Sequence, residues 1–210
     1  MQTVAVIDYG SGNLRSAEKA LIRAAGDHVQ VKVTCDPAVI SGADRIVLPG
    51  VGAFAACMRA FQARPGLEEA LNHAVRVQAK PFLGICVGMQ LVATRGLEFG
   101  ETAGLGWIDG DVRRITPADP AAKVPHMGWH ELVKPHGPSV IAEIDSAPMY
   151  FTHSFAFYPD AEADVAAWVD HGGLFPAAIA RDNIVGVQFH PEKSQSAGLA
   201  LLARFLEWQP

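Results

Sequence analysis

The chain has 210 residues, half of them apolar, and a formal net charge of −5 at pH 7. This acidic balance offers no basic surface for nucleic acid or for an anionic membrane, so neither is expected as a partner. The N-terminus lacks a basic segment and no apolar run is long enough to cross a bilayer, so neither a signal peptide nor a transmembrane helix is predicted. The cysteines Cys35, Cys57 and Cys86 follow no disulfide or zinc-site spacing, which favours a reducing, cytoplasmic setting.

The first half of the chain alternates short apolar runs with amphipathic stretches of helical period. This β-α-β-α order predicts a largely parallel sheet with helices on both faces, in which ligands collect at the carboxyl ends of the strands. Strands are predicted at 3–7, 29–33 and 43–48, and helices up to about residue 25, through Cys57, Met58 and Phe61, and over about 66–78.

The loop after the first strand contains Gly10-Ser11-Gly12 and then Asn13, which we expect to cap the first helix. A dinucleotide fingerprint would need a glycine or alanine where Arg15 stands. A plain strand-to-helix turn is therefore favoured over a nucleotide site.

The second half of the chain has a different pattern of predicted secondary structure. Short strands separated by Pro, Gly and Asp predict a smaller, antiparallel strand region, and no linker or repeat marks a boundary. We therefore expect a single domain over residues 1–210, with a mixed α/β fold whose central sheet is largely parallel and flanked by helices. The strands are predicted at 111–115, 130–133, 149–157, 165–169 and 184–189, and a closing helix at about 197–208.

The segment 81–90 predicts a strand that breaks into a helix at Cys86, with Gly84 and Gly88 two residues away on either side. This is the spacing of a nucleophile elbow, where the nucleophile has strained backbone angles and larger flanking side chains would collide with neighbouring elements. The N–H groups at the start of the next helix favour a thiolate. Cys86 is thus predicted to be a nucleophile, whereas Cys35 and Cys57 are interpreted as structural core cysteines.

A cysteine nucleophile needs a base and a group that orients the base. His190 ends the strand-like run 184–189, which places it at the same sheet edge as Cys86. In extended chain, residues i and i+2 point the same way, so Glu192 is predicted to lie beside the His190 ring. The other histidines are interpreted as packing or surface residues. Two N–H donors for an oxyanion are expected from Val87 and from the glycine turn that holds Val51 and Gly52.

With these residues in hand, the sequence resembles the class I (triad) glutamine amidotransferases, whose core is flavodoxin-like. The resemblance runs from end to end. It implies that Cys86 attacks the side-chain amide of glutamine and that no metal or organic cofactor is needed. It also implies glutamine contacts from Gln90, Glu98, His153, Ser154 and Phe155. The matching motifs are Tyr9-Gly10-Ser11-Gly12-Asn13, Pro49-Gly50-Val51-Gly52-Ala53-Phe54, Gly84-Ile85-Cys86-Val87-Gly88-Met89-Gln90, Pro125-His126-Met127-Gly128-Trp129, Tyr150-Phe151-Thr152-His153-Ser154 and Gly186-Val187-Gln188-Phe189-His190-Pro191-Glu192-Lys193-Ser194.

Within this family the chain is most similar to glutaminases that form a heterodimer with a (β/α)₈ cyclase of histidine biosynthesis. That cyclase makes imidazole glycerol phosphate and an aminoimidazole carboxamide ribotide. Ammonia becomes protonated in water, and no stretch of this chain is left for a synthase domain, so we expect a partner chain to receive it. The resemblance further implies low activity without the partner, because the Gly50–Val51 peptide would point its N–H away from the oxyanion. Candidate docking residues are Asn13, Met127, Trp129 and Lys193.

One residue departs from the subfamily pattern: His130 stands where asparagine is common. Three alternatives also remain open on the sequence. The chain could serve another amidotransferase, such as the one of pyridoxal phosphate synthesis, although that relative carries a Pro-Gly-Gly-Glu type sequence at the glycine turn. It could be a cysteine hydrolase of γ-glutamyl peptides, which can work without a glutamate at the position of Glu192. It could also be a flavodoxin-like binding module with an incidental cysteine.

Overall fold

A computed structural model describes residues 1–10, 12–144 and 147–210, so Ser11 of the first glycine loop lies outside the described residues. Within these ranges the strands form an eight-stranded sheet, a four-stranded sheet and a two-stranded sheet. None of the helices in this part of the chain has both the length and the apolar character needed to cross a membrane.

The elements alternate regularly up to β4 and become strand-rich after it. The strands are β1 Gln2–Ile7, β2 Val29–Thr34, β3 Arg45–Gly50, β4 Phe82–Cys86, β5 Ala93–Gly96, β6 Thr102–Ala103, β7 Ile108–Arg114, β8 His126–His130, β9 Leu132–Val133, β10 Met149–His153, β11 Phe155–Pro159, β12 Val165–Asp170, β13 Leu174–Arg181 and β14 Ile184–Val187. The helices are α1 Leu14–Ala25, α2 Pro37–Gly42, α3 Phe54–Gln62, α4 Leu67–Asn72, α5 Val87–Gln90, α6 Ser139–Ala142 and α7 Gln195–Glu207.

The central sheet has the order β2-β1-β3-β4-β14-β13-β12-β9. Its first five strands are parallel neighbours, and the last three are antiparallel. Every residue of β3, β4 and β14 is buried, which is typical of parallel strands covered by helices on both faces. The predicted mixed α/β fold, with a largely parallel sheet and a smaller antiparallel region, is confirmed.

Two strand predictions in the second half need correction. The run 130–133 belongs to two strands, because β8 pairs with β10 whereas β9 pairs with β12 at the edge of the central sheet. The run 149–157 breaks at Ser154, since β10 pairs with β8 whereas β11 pairs with β7 in another sheet. The strand predicted at 165–169 is confirmed as β12, which pairs antiparallel with β13 in the central sheet. Periodicity shows that a residue is extended, but it does not show where a chain changes its partner strand.

Two helix predictions also differ from the structure. The helix predicted over 66–78 is α4 followed by a π-helical turn, His73–Val77. The helix after the elbow, α5, is a single turn of four residues. So short a helix has a weak dipole.

Candidate active site

The elbow at the end of β4 has the strained geometry predicted for it. Cys86 adopts φ 55° and ψ −112°, a conformation that costs free energy for a residue with a side chain. A Cβ added to Gly84 would lie 2.7 Å from the backbone of Met89. A Cβ added to Gly88 would overlap the carbonyl group of Leu48 on β3. Both glycines are therefore required by close packing of the turn against its neighbours.

The sheet brings His190 to this turn. Strand β14 lies directly beside β4 in parallel register, so the segment that follows it leaves the sheet at the same edge as Cys86. The His190 side chain is buried, its backbone N–H donates to the Tyr150 carbonyl at 2.9 Å, and its carbonyl accepts from the Ser194 hydroxyl at 2.7 Å. These two hydrogen bonds fix the backbone of His190 and thereby the position of its ring.

Glu192 lies beside His190 as predicted, with Oε1 2.7 Å from Nδ1, but the chain is not extended there, because Pro191–Lys193 form a 3₁₀ turn. Burial of the imidazole lowers the pKa of His190, but hydrogen bonds to Cys86 and Glu192 outweigh burial and raise the pKa from 6.5 to about 9. At neutral pH the His190 ring is therefore an imidazolium.

Asn13 has a different role from the one predicted. It stands at the start of α1 with φ 72°, but its side chain makes no capping hydrogen bond. Instead, Asn13 Nδ2 donates to Glu192 Oε1 at 2.5 Å. The other carboxylate oxygen, Glu192 Oε2, is buried and has no hydrogen-bond partner among the described residues. The predicted cap is wrong, because a contact across 179 residues outcompetes the local one.

Gln188 belongs to the site, although the sequence analysis did not select it. Its side chain is fully buried, and its Nε2 donates to Cys86 Sγ at 3.6 Å. Its Oε1 accepts from Gln90 Nε2 at 3.0 Å, and Gln90 Nε2 also donates to the Phe155 carbonyl at 3.0 Å. The alternation that linked His190 to Glu192 also puts Gln188 on the same side as His190, so the sequence did contain an indication of it.

A cleft of about 560 Å³ opens over the elbow. Its walls bring together most of the predicted site residues. The Glu98 carboxylate lines it and accepts a hydrogen bond from the Phe54 backbone N–H through Oε2 at 2.8 Å, which leaves the other oxygen for a ligand. Glu192 lies behind His190 and is not a lining residue. The predicted residues that line the cleft are Asn13, Val51, Gly52, Cys86, Val87, Gln90, Glu98, His153, Ser154, Phe155, His190 and Lys193.

His153 also joins the cleft to a group of further histidines. Burial, together with the neighbouring His171 and His190, lowers the pKa of His153 to about 4, although a hydrogen bond to the Phe155 carbonyl opposes this shift. Burial and the imidazoles of His153, His171 and His130 lower the pKa of His126 to about 3. Both rings are therefore neutral at pH 7. His126, His130 and His171 lie together as a group that could hold a metal ion, a proximity that the sequence analysis did not predict.

The candidate docking residues differ in exposure. Met127 is 59% exposed and Trp129 is 44% exposed, so neither is an ordinary core residue. Lys193 Nζ lies 5.7 Å from the centre of the Tyr150 ring at the mouth of the cleft. Asn13 is committed to Glu192, so a partner that touches Asn13 would reach the catalytic carboxylate through one side chain.

The remaining cysteines are unlike each other. Cys57 is buried, burial raises the pKa of its thiol, and its Sγ lies 3.4 Å from the Val51 carbonyl. Cys35 is exposed, so the expectation of a core position is wrong for it. Cys35 directly follows β2, which lies at the edge of the central sheet, so the general preference of cysteine for burial does not hold there.

The family model named glutamine amidotransferase class-I matches residues 5–208. The chain therefore belongs to the class-I glutamine amidotransferase family. Solved structures share the fold: one titled as a glutamine amidotransferase has a TM-score of 0.74 at 20% identity and 97% coverage of both chains. A glutamine amidotransferase from Thermotoga maritima has a TM-score of 0.62 at 16% identity, covering 98% of this chain and 84% of the other.

More similar relatives carry a more specific name. The chain is 58% identical, over the full length of both proteins, to imidazole glycerol phosphate synthase subunit HisH of Caulobacter vibrioides. It is 55% identical to the subunit of that name from Rhodospirillum rubrum, covering 99% of each chain. It is 52% identical to that of Zymomonas mobilis, covering 99% of this chain and 97% of the relative. The family and the subfamily predicted from the motifs are both confirmed.

Proposed function

We propose that this chain is the glutaminase subunit of an imidazole glycerol phosphate synthase in histidine biosynthesis. It hydrolyses glutamine to glutamate and ammonia and passes the ammonia to a (β/α)₈ cyclase, with which it forms a heterodimer. The observation that carries the proposal is a buried Cys86, His190 and Glu192 chain at the floor of a cleft, in a protein that matches subunits of this name along its whole length. Residues 1–210 act as one domain, in the cytoplasm and without a cofactor.

The triad would work in two stages. Cys86 Sγ attacks the δ-carbon of glutamine, and a tetrahedral oxyanion forms. As this collapses, the C–N bond breaks and the His190 imidazolium gives its proton to the leaving amide nitrogen, which departs as ammonia. The neutral ring then takes a proton from water, the hydroxide attacks the γ-glutamyl thioester, and the S–C bond breaks to release glutamate and restore the Cys86 thiolate. Glu192 orients the ring and stabilises its charged form throughout.

The cleft offers donors for the oxyanion and contacts for glutamine. Val87 follows the nucleophile, so its N–H belongs on the oxyanion side, and Val51 and Gly52 form the facing wall. We assign the free oxygen of Glu98 to the α-ammonium of glutamine. We assign His153, Ser154 and Phe155 to its α-carboxylate. Gln90, held by Phe155 and Gln188, borders the amide end.

The partner is needed because ammonia in neutral water is mostly ammonium, which is not a nucleophile. The exposed side chains of Met127 and Trp129, together with Lys193 and Asn13 at the mouth of the cleft, are the proposed docking residues. Since Asn13 bonds directly to Glu192, docking at Asn13 would act on the orientation of the catalytic base. The Gly50–Val51 peptide is the second proposed point of control.

The proposal is tested with Cys86→Ala in the complex with the cyclase subunit. We expect complete loss of glutamine-dependent synthesis, with ammonia-dependent synthesis retained. Cys35→Ala, which removes an exposed thiol, is the matched control and should keep both activities. Loss of both activities in a folded Cys86→Ala complex would contradict the division of labour.

Each of the alternative functions predicts a different experimental result. A non-enzymatic module would lose nothing when Cys86 is replaced. A glutaminase of another synthase would release ammonia but support no cyclase of histidine biosynthesis. A γ-glutamyl peptide hydrolase would cleave γ-glutamyl peptides faster than free glutamine, and Glu192→Gln would leave that activity largely intact.

A further inference from the structure

Three histidines from two segments meet behind the wall of the cleft. His126 and His130 lie at the two ends of β8, and His171 follows β12. One ring nitrogen of each lies within 4.8 Å of those of the other two. The ring centre of His126 is 4.4 Å from that of His130 and 4.1 Å from that of His171.

The hydrogen bonds of His153 determine which ring nitrogen of His126 carries no proton. His153 Nδ1 lies 2.9 Å from the Phe155 carbonyl, which can only accept, so this nitrogen carries the proton. In the neutral ring His153 Nε2 must then accept, and its neighbour at 2.9 Å, His126 Nδ1, must donate. His126 Nε2 is consequently a bare lone pair. It is buried and has no hydrogen-bond partner within residues 1–10, 12–144 and 147–210. A buried acceptor without a partner costs free energy unless something fills its lone pair.

His171 has the complementary arrangement. Its Nε2 lies 2.7 Å from the Lys123 carbonyl and must donate to it, which leaves Nδ1 as the free nitrogen of the neutral ring. An imidazole that donates one N–H to a carbonyl and keeps the other nitrogen free is the usual state of a metal-ligating histidine. Both His126 and His171 therefore have an anchored nitrogen and a free one.

His130 completes the set because of Gly128. Side chains two positions apart on β8 share a face, and Gly128 between His126 and His130 has none, so the two rings lean toward each other over it. A Cβ added to Gly128 would lie 3.5 Å from His130 Nε2. His130 presents its ring edge-on, at 74° to His126 and 90° to His171.

We propose that His126, His130 and His171 bind a divalent transition-metal ion of the zinc type. Zn–N bonds of about 2.0–2.1 Å place tetrahedral nitrogens about 3.3 Å apart. Since the three nitrogens lie within 4.8 Å of one another, each pair needs to approach by about 1.5 Å at most. The His171 ring, stacked at 22° on His126, has to tilt about its bond to Lys123 for its lone pair to converge. The fourth position stays open to water. Because His126 bonds to His153, the ion would stiffen the wall of the cleft on the side opposite the elbow.

Zinc binding by the full chain tests the proposal directly. Cys86 and His190 are themselves a potential zinc pair, so titration calorimetry is done on wild type and on Cys86→Ala. We expect one Zn²⁺ per chain to remain in Cys86→Ala, with a rise in Tm. His130→Asn and His171→Asn should each weaken that binding at least tenfold, whereas His136→Asn, at an exposed histidine outside the cluster, should not.

Cobalt gives a second measurement that does not depend on affinity. Co²⁺ in the cluster should show tetrahedral d–d bands without a thiolate-to-cobalt charge-transfer band. The proposal is overturned if Cys86→Ala binds no ion, if the histidine variants bind as wild type does, or if the cobalt spectrum shows a thiolate ligand. Glutaminase activity enters none of these measurements, so they test the metal site independently of the proposed reaction.

Discussion

Replacement of Glu192 by glutamine separates the charge of the triad carboxylate from its shape. Glu192 Oε1 accepts from both His190 and Asn13, and a glutamine carbonyl can keep both bonds. The new NH₂ group takes the place of Oε2, which has no hydrogen-bond partner in the described part of the chain. The substitution therefore removes one negative charge beside His190 and leaves the other contacts in place.

The size of the effect follows from the pKa of His190. This pKa is about 9 although burial lowers it, so the hydrogen bonds and the electrostatic attraction of Cys86 and Glu192 together supply the increase. Loss of one adjacent opposite charge lowers such a pKa by roughly 1–3 units. The imidazolium must be present to protonate the leaving amide nitrogen, which departs as ammonia. Wild-type activity therefore persists below about pH 9 and falls as pH rises through that value. In Glu192→Gln this alkaline limb should move down by roughly 1–3 pH units.

The rate should fall as well. The retained hydrogen bond changes from a charge-assisted one to a neutral one, which removes roughly 1–1.5 kcal/mol and corresponds to roughly a 5- to 10-fold loss in kcat. The measurement is kcat/KM for glutamine in the complex, across a pH range that brackets 6.5 and about 9. Glu69→Gln, at an exposed position on α4, is the control. An alkaline limb that stays in place in a folded Glu192→Gln complex would refute the assignment of His190 and Glu192 as an ion pair.

Two further predictions concern packing around the nucleophile. Gln188→Met keeps the length of the buried side chain but removes the bonds to Cys86 and Gln90, so kcat/KM for glutamine should fall by roughly 5- to 150-fold while ammonia-dependent synthesis is retained. Unchanged glutamine kinetics would show that Gln188 does not position the thiol. Gly88→Ala drives a Cβ into the carbonyl of β3 and should lower the free energy of unfolding by about 1–3 kcal/mol or more, measured by urea denaturation. Gly42→Ala meets nothing within 4 Å and should be neutral or slightly stabilising, so equal effects of the two substitutions would contradict the steric argument.

Residues close together in the sequence were sufficient to predict the elbow and the His190–Glu192 pair. Gly84 and Gly88 are spaced as a tight strand-to-helix turn requires. His190 and Glu192 are close because they are two positions apart at the start of a 3₁₀ turn, Pro191–Lys193, and not because the chain is extended there. The β-α-β-α order fixed a parallel sheet, and a parallel sheet brings the carboxyl ends of β4 and β14 to one edge. These features depend on neighbours within a few residues or on a general rule of topology.

Contacts between distant segments could not be read from the sequence. The sequence predicts that Asn13 caps a helix, but in the fold its side-chain amide donates to Glu192 instead. The run 149–157 is continuously extended, and only the pairing of β10 and β11 with different strands shows the break at Ser154. The exposure of Cys35 follows from the position of β2 at the edge of the sheet.

The amino-acid sequence by itself determined the parallel core, the strained cysteine turn and the histidine–glutamate pair, because each follows from backbone geometry and local side-chain periodicity. The tertiary structure decided which distant side chains complete them. It placed Gln188 against the thiol, Asn13 against the carboxylate, and His126, His130 and His171 in one cluster. Alternation along one segment relates Gln188 to His190 and His126 to His130, but only the packing of distant segments brings Asn13 to Glu192 and His171 to the other two histidines.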